Sequence, residues 1–166
     1  LEALLARHRD GLLLFLFSFV RSNEDAEELL MDTFAKLAVD KPPFDPKAPG
    51  SFKSWLYAIG RNNARMFIRR KKVHTLPMRE DIPSRGDFPE TILLKDEKSH
   101  LLYRAMEKLK PEYRRALTLL YFDGLSHDEI AMAMGMRKGQ IYSIVKHGKE
   151  TLKKTLEGMG ISDAQY

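Results

Sequence analysis

The sequence predicts an all-α protein built from two small helical domains joined by a linker: an N-terminal helical bundle and a C-terminal helix-turn-helix bundle. Three observations predict it. Apolar residues recur at helical spacing along nearly the whole chain, strand-like alternation is sustained nowhere, and glycine and proline gather at a few places instead of being spread. At 166 residues the chain suits one medium domain or two small ones.

The first helix is expected from about Leu1 to Arg21. Around Leu12, Leu13, Leu14, Phe15, Leu16 and Phe17 it is apolar on most sides, which places it at the centre of a bundle or against a partner. Ser22-Asn23 then breaks the chain and caps a second helix, roughly Glu24 to Val39. Ala26, Leu29, Leu30, Phe34, Leu37 and Ala38 form its inner face. Its other face carries Glu24, Asp25, Glu27, Glu28 and Asp32. Acids in the first turn suit the helix dipole. Glu28 and Asp32 lie beyond that turn, four residues apart, and repel each other by a few tenths of a kcal/mol. An acidic face on a basic protein fits a basic protein partner, with simple solvation as the alternative.

The segment from Lys41 to Gly50 holds Pro42, Pro43, Pro46 and Pro49, so it reads as a stiff loop that binds with little ordering cost. Ser51 is expected to cap a third helix, Phe52 to about Lys72. Phe52, Trp55, Leu56, Ile59 and Phe67 face inward, and Trp55 is read as core. Arg61, Arg65, Arg69 and Lys72 recur on another face with no acid among them. A cationic stripe along one helix tracks the phosphates of a nucleic-acid strand. The other reading is a solvated helix end whose cations favour the C-terminal dipole. In the proline loop, Phe44 is the aromatic best placed to touch DNA.

Residues 75–90 are polar and carry Pro77, Pro83, Gly86 and Pro89, and are expected to be the linker between units at 1–74 and 91–166. A fourth helix is predicted from about Thr91 to Lys108, and a fifth opens at Pro111, a residue suited to a first helical position. Ser126 with Glu129 three residues on forms a capping box. Gly135 then supplies a turn, and Ile141, Ile144 and Val145 repeat the apolar face in a last helix running to about Leu156. This is the helix-turn-helix pattern, whose second helix lies in the DNA major groove. An ordinary helical hairpin shares the pattern.

A net charge of +5 and a pI of about 9.4 suit a polyanionic partner. With no cysteine, disulfides and thiolate chemistry are excluded, which fits a reducing cytoplasm. The apolar run Leu12–Val20 is too short to span a bilayer, and no secretory signal is evident, so membrane insertion is not expected. The start at Leu1 instead of Met leads us to expect that the natural N-terminus was trimmed or is not included. No nucleophile–base pair, phosphate-binding glycine loop or metal-ligand spacing is present. We therefore expect no catalytic residue, no cofactor and no metal.

Four anchors occur in order: Asp25-Ala26-Glu27-Glu28-Leu29 with Phe34, Phe52-Lys53-Ser54-Trp55-Leu56-Tyr57-Ala58-Ile59 with Arg61-Asn62, Leu109-Lys110-Pro111-Glu112-Tyr113-Arg114, and Asp123-Gly124-Leu125-Ser126 with Glu129-Ile130-Ala131. With them the chain resembles the bacterial sigma factors of the extracytoplasmic-function group. The resemblance implies that Asp25, Glu28 and Asp32 contact core RNA polymerase. It implies that the third helix meets the downstream (−10) promoter element, with Arg61, Arg65 and Arg69 on phosphates, Asn62 beside the strand, and the preceding loop accepting an extruded base. It further implies that Arg137, Lys138, Gln140, Ile141 and Ser143 open a helix that reads the upstream (−35) element, with Lys146 and Lys149 on its backbone. Promoter-specific initiation in the cytoplasm, with an anti-sigma factor as a further partner, follows from the resemblance. The alternative is a freestanding helix-turn-helix regulator. The sequence departs from the group at Met31, Asn63, Met66, Arg137 and Ile144, the last standing where an arginine is usual, and Gly148 falls mid-helix.

Overall fold

A computed structural model describes residues 2–47, 50–74 and 97–160. Among the described residues there are seven helices and no strand: α1 (Glu2–Val20), α2 (Asn23–Asp40), α3 (Phe52–His74), α4 (Glu97–Met106), α5 (Pro111–Tyr121), α6 (His127–Met134) and α7 (Lys138–Gly158). The expected linker at 75–90 and the first residues of the expected fourth helix lie outside the described residues.

The local signals act where the sequence placed them. Ser22 Oγ accepts from Asp25 N at 3.3 Å and starts α2. Ser51 Oγ accepts from Ser54 N at 3.1 Å and starts α3. At α6 the box closes both ways, Glu129 N to Ser126 Oγ at 3.2 Å and Ser126 N to Glu129 Oε1 at 3.3 Å. Gly135 has φ +65°, and the bonds Met136 N to Ala131 O and Gly135 N to Met132 O close α6 in a Schellman turn.

α1 is the central helix. Every residue from Leu12 to Ser18 is buried, because α2 and α3 cover it on one side and α5 on another. It therefore belongs to both halves of the molecule. The halves meet again where α3 packs on α6, while α5, α6 and α7 form the second helical group with α4 against α5 and α7. Gly148 sits mid-helix because α7 passes close to α5 there: an added Cβ would lie 3.3 Å from Leu117 Cδ1. Asn63, a polar residue on an inward face, is buried but satisfied, donating to Thr33 Oγ1 at 3.2 Å and accepting from Lys36 Nζ at 3.3 Å.

Gly11 carries a tighter constraint. A Cβ there would lie 2.1 Å from Tyr57 Oη and 2.3 Å from Asp123 Oδ1. Gly11→Ala gains about 1 kcal/mol of helix propensity, yet forces a rigid phenol and a buried carboxylate to move, at about 1–3 kcal/mol or more. Net destabilisation is expected. A lowered urea midpoint at unchanged slope measures it.

Candidate polymerase and nucleic-acid surfaces

The acidic face of α2 is narrower than the sequence suggests. Glu24, Glu28 and Asp32 are exposed and project from one side of the helix. Glu27 turns to α1, where Arg9 holds it at 3.2 Å. Asp25 is a correction: it turns to α3, and Lys71 ion-pairs with its half-buried carboxylate. The outward face continues in apolar residues, Met31 at 64% and Val39 at 79% exposure, so acid at one end passes into grease at the other.

On α3 the cationic stripe divides. Arg65, Arg69, Arg70 and Lys72 are exposed, and among the described residues none of them has a carboxylate within ion-pairing distance. Four like charges on one helix end are held apart from acid, as a phosphate-binding surface requires. Lys71 lies off the stripe, occupied by Asp25 and placed over the Phe67 ring. Arg61 is the second correction. Its guanidinium is turned to α6, where Nη1 donates to Ala133 O at 2.8 Å and Met132 O at 3.2 Å. These are carbonyls of the last turn of α6: Ala133 O lies outside its Schellman turn, Met132 O is shared with Gly135 N, and the helix dipole favours a cation there. Burial first, and then the neighbouring Arg65, lower the Arg61 pKa; it is the bonds to α6 that turn the guanidinium away from a phosphate in this conformation. Asn62 beside it is exposed and accepts from Arg61 Nη2 at 3.3 Å.

At the start of α3 the aromatics collect. Phe44 stands edge-on to Phe52 at 5.6 Å and tilted against Trp55 at 5.2 Å, and keeps 39% of its surface exposed. Trp55 is half-buried against the core, as expected, and forms the floor under Phe44.

On α7 the exposed face holds Gly139, Ser143 and Lys146, with Ser143 Oγ 3.3 Å from His147 Nδ1. Lys138 is exposed but reaches back across the turn to Asp128 at 3.1 Å, and that hydrogen bond raises its pKa. Gln140 Oε1 accepts from Arg137 N at 3.0 Å, so its acceptor is spent on starting the helix and its amide donors remain. Arg137 itself is exposed at that N-cap. Lys149 is exposed and, with Lys98, Leu152 and Leu156, lines a groove of about 400 Å³ between α4 and α7. Ile141 is the third correction. It is fully buried, so it is a core residue of the second unit and has no surface to offer DNA. Ile144, at the position where an arginine is usual in the group, is also buried.

Sequence reasoning missed one cluster altogether, where the halves meet. Lys53 Nζ lies 3.2 Å from Asp123 Oδ1 and donates to Asp123 O at 3.0 Å. Burial pushes the Asp123 carboxyl up against the opposing pull of Lys53, and pushes the Tyr57 phenol beside it well above its ordinary value. Ser51 Oγ donates to Glu129 Oε2 at 2.6 Å. At the other end Arg21 pairs with Glu107, and Arg115 stacks 4.0 Å over the Phe19 ring, its pKa lowered to about 10 first by burial and then by Arg114, Arg65 and Arg21. No local pattern announces pairs separated by 70 or more residues.

Among the described residues no helix is long and apolar enough to cross a membrane, and no group of three or more acidic or histidine side chains is placed to hold a metal.

Known proteins match this arrangement in order. Residues 4–73 match the family Sigma-70 region 2, and residues 99–152 match Sigma-70, region 4. The RNA polymerase sigma factor CarQ of Myxococcus xanthus is 30% identical, over 93% of this chain and 88% of its own length. The ECF RNA polymerase sigma factor SigW of Bacillus subtilis is 26% identical, over 92% of this chain and 86% of its own. The ECF RNA polymerase sigma factor SigE of Mycolicibacterium smegmatis is 27% identical over 99% of this chain, which spans only 64% of that relative's length. In fold the chain is similar to the sigma factor RpoE of Bartonella quintana, solved with the anti-sigma factor NepR, at a TM-score of 0.65, 24% identity, and 88% and 89% coverage of the two chains. It is similar also to CnrH, solved with the cytosolic domain of CnrY, at a TM-score of 0.63, 21% identity, and 95% and 87% coverage. With both sigma-70 regions matched in order and a relative at 30% identity along most of its length, the chain belongs to the extracytoplasmic-function group of sigma-70 factors, which direct promoter-specific transcription initiation.

Proposed function

We propose that the chain docks on core RNA polymerase through the outward face of α2, reads upstream promoter duplex with α7, and holds the melted downstream strand on α3. The observation that carries this reading is the separation of charge. Glu24, Glu28 and Asp32 face outward from one helix, and Arg65, Arg69, Arg70 and Lys72 from another. A freestanding regulator has no use for the acidic face. We divide the chain at the 75–90 linker, with the strand reader before it and the duplex reader after it. Polymerase sets the separation of the two readers, and tethering lets two weak contacts select a promoter together.

On the strand side, Phe44 over Trp55 offers a stacking edge for a base extruded beside the cations, the combination single-strand sites use. On the duplex side Ser143, Lys146, Arg137 and the Gln140 amide remain available, Lys146 and Arg137 toward phosphates. An anti-sigma factor, as NepR is in the complex with the sigma factor RpoE of Bartonella quintana, is a natural antagonist. The reading makes the protein a cytoplasmic specificity factor without catalytic activity of its own.

The experiment is run-off transcription with core polymerase and Arg65→Ala/Arg69→Ala. Both substitutions are on exposed side chains and leave stability within about 0.5 kcal/mol. Removing two phosphate contacts is expected to weaken promoter binding by the polymerase complex and flatten its log–log salt slope by about 1.4–1.8, at 0.7–0.9 per contact. An unaltered slope contradicts the phosphate role of the stripe.

A further inference from the structure

An aromatic pair joins α6 to α7 on the solvent side of the helix-turn-helix. The His127 ring, at the first residue of α6, lies flat on the Tyr142 ring of α7, with centroids 4.3 Å apart and planes 12° from parallel. Lys138 Nζ stands 5.8 Å from the centroid of the same Tyr142 ring, and Asp128, the neighbour of His127, holds that ammonium at 3.1 Å. Tyr142 is thus braced from both helices, yet 52% of it is exposed. It is the one large apolar side chain that α7 leaves open to solvent; Ile141, Ile144, Val145, Leu152 and Leu156 are all buried. Single exposed apolar residues are ordinary. A ring fixed by a second ring on another helix, on a cationic flank, is not. Lys138, Tyr142 and Lys146 are spaced by four and share one side of α7, with Ser143 beside them. On a duplex-reading helix such cations reach phosphates, and the group between them meets base edges. Tyr142 has no pair of donors or acceptors with which to read a purine bidentately. It offers a flat apolar surface, and the major groove displays one apolar group, the 5-methyl of thymine.

We propose that Tyr142 is a specificity-determining residue for the upstream duplex, reading the 5-methyl group of a thymine, and that His127 is its positioning residue, fixing the ring from the neighbouring helix. The proposal rests on the reading of α7 as the duplex helix. The stack has a definite task. A tyrosine free to swing about its side-chain torsions loses that freedom on binding, whereas one already stacked has lost it beforehand. His127 is suited to the task because it is half-buried and sits on the first turn of α6, where the Ser126–Glu129 capping box fixes the backbone. Burying one methyl group is worth about fourfold in affinity, so the signature is a modest preference confined to one base pair.

The test uses the full chain with core polymerase. The parent complex selects from a pool of promoter duplexes randomised across the upstream segment. Each thymine of the selected sequence is then replaced singly by deoxyuridine, which removes only the methyl group. One such replacement is expected to cost about fourfold in affinity. Tyr142→Phe is expected to keep that penalty, and Tyr142→Ala to abolish it and relax selection at that base pair alone. His127→Ala is expected to shrink the penalty while the rest of the selected sequence is unchanged, and His127→Phe, which still stacks, to restore it. Neither side chain belongs to the core or to the α6 capping box, and far-ultraviolet circular dichroism checks that the helices persist. A selected upstream sequence with no uracil-sensitive thymine, or a penalty that survives Tyr142→Ala, overturns the methyl reading while α7 remains the duplex helix. A penalty undiminished in His127→Ala overturns the positioning role. A parent complex that selects no upstream sequence overturns the reading of α7 itself, and the proposal with it.

Discussion

A Glu28→Lys/Asp32→Lys variant is expected to lose about a hundredfold in affinity for core RNA polymerase, close to 3 kcal/mol, and with it run-off transcription. The magnitude follows from reversal as opposed to removal. Two favourable contacts with a basic partner are lost and two repulsive ones replace them, and close charge pairs at interfaces couple strongly. The fold has no stake in these carboxylates. Both are exposed, and among the described residues neither ion-pairs within the chain. Their mutual repulsion is also only exchanged for another. Thermal stability is therefore expected to stay within about 0.5 kcal/mol of the parent. Gel-filtration coelution with core polymerase separates the outcomes, and unchanged coelution removes α2 from the docking surface. Asp25→Lys is the contrasting control. It opposes Lys71 across α2 and α3, so it acts on local packing before it acts on docking.

Ile141→Asp is expected to unfold the second helical unit. The side chain is fully enclosed, in one core cluster with Leu117, Ile130, Val145 and Leu152. An unpaired carboxylate there costs more than about 4 kcal/mol, a large share of the stability of a small domain. The milder Ile141→Val costs about 1 kcal/mol and is expected to leave duplex affinity per folded molecule unchanged, because the residue touches no surface. Circular dichroism melting measures the first and a duplex-binding titration the second. A folded Asp variant with lost DNA binding would return Ile141 to the DNA face.

The framework was legible because its signals are local. Caps, Pro111, Gly135 and the apolar stripes each act within a turn or two, and they set six of the seven helix starts close to where the residues put them; that of the fourth falls outside the described residues. Ile141 shows where the family resemblance misled and local reading did not. The residue lies on the apolar stripe with Ile144 and Val145, and periodicity alone would have kept it inside; the family resemblance drew it to the DNA face. Ile144 shows the same conflict, since core packing, not base reading, occupies a position where the group commonly has an arginine. Asp25 and Arg61 failed for a different reason. Each belongs by spacing to a charged face, and each is taken from that face by one tertiary partner, Lys71 for Asp25 and the end of α6 for Arg61. A partner 46 or 72 residues away leaves no trace in spacing. Gly11 is the same case in reverse: its meaning lies in Tyr57 and Asp123, which only the closed packing of α1, α3 and the α5–α6 turn brings together.

The central claim is that charge is sorted by helix, acid toward polymerase and base toward promoter strand. Photoreactive probes on Ala35→Cys, on the outward face of α2, and Met66→Cys, beside Arg65 and Arg69 on α3, test it in an assembled polymerase–promoter complex. The α2 probe is predicted to label polymerase protein and the α3 probe promoter DNA. Labelling of DNA from α2, or of protein alone from α3, contradicts it.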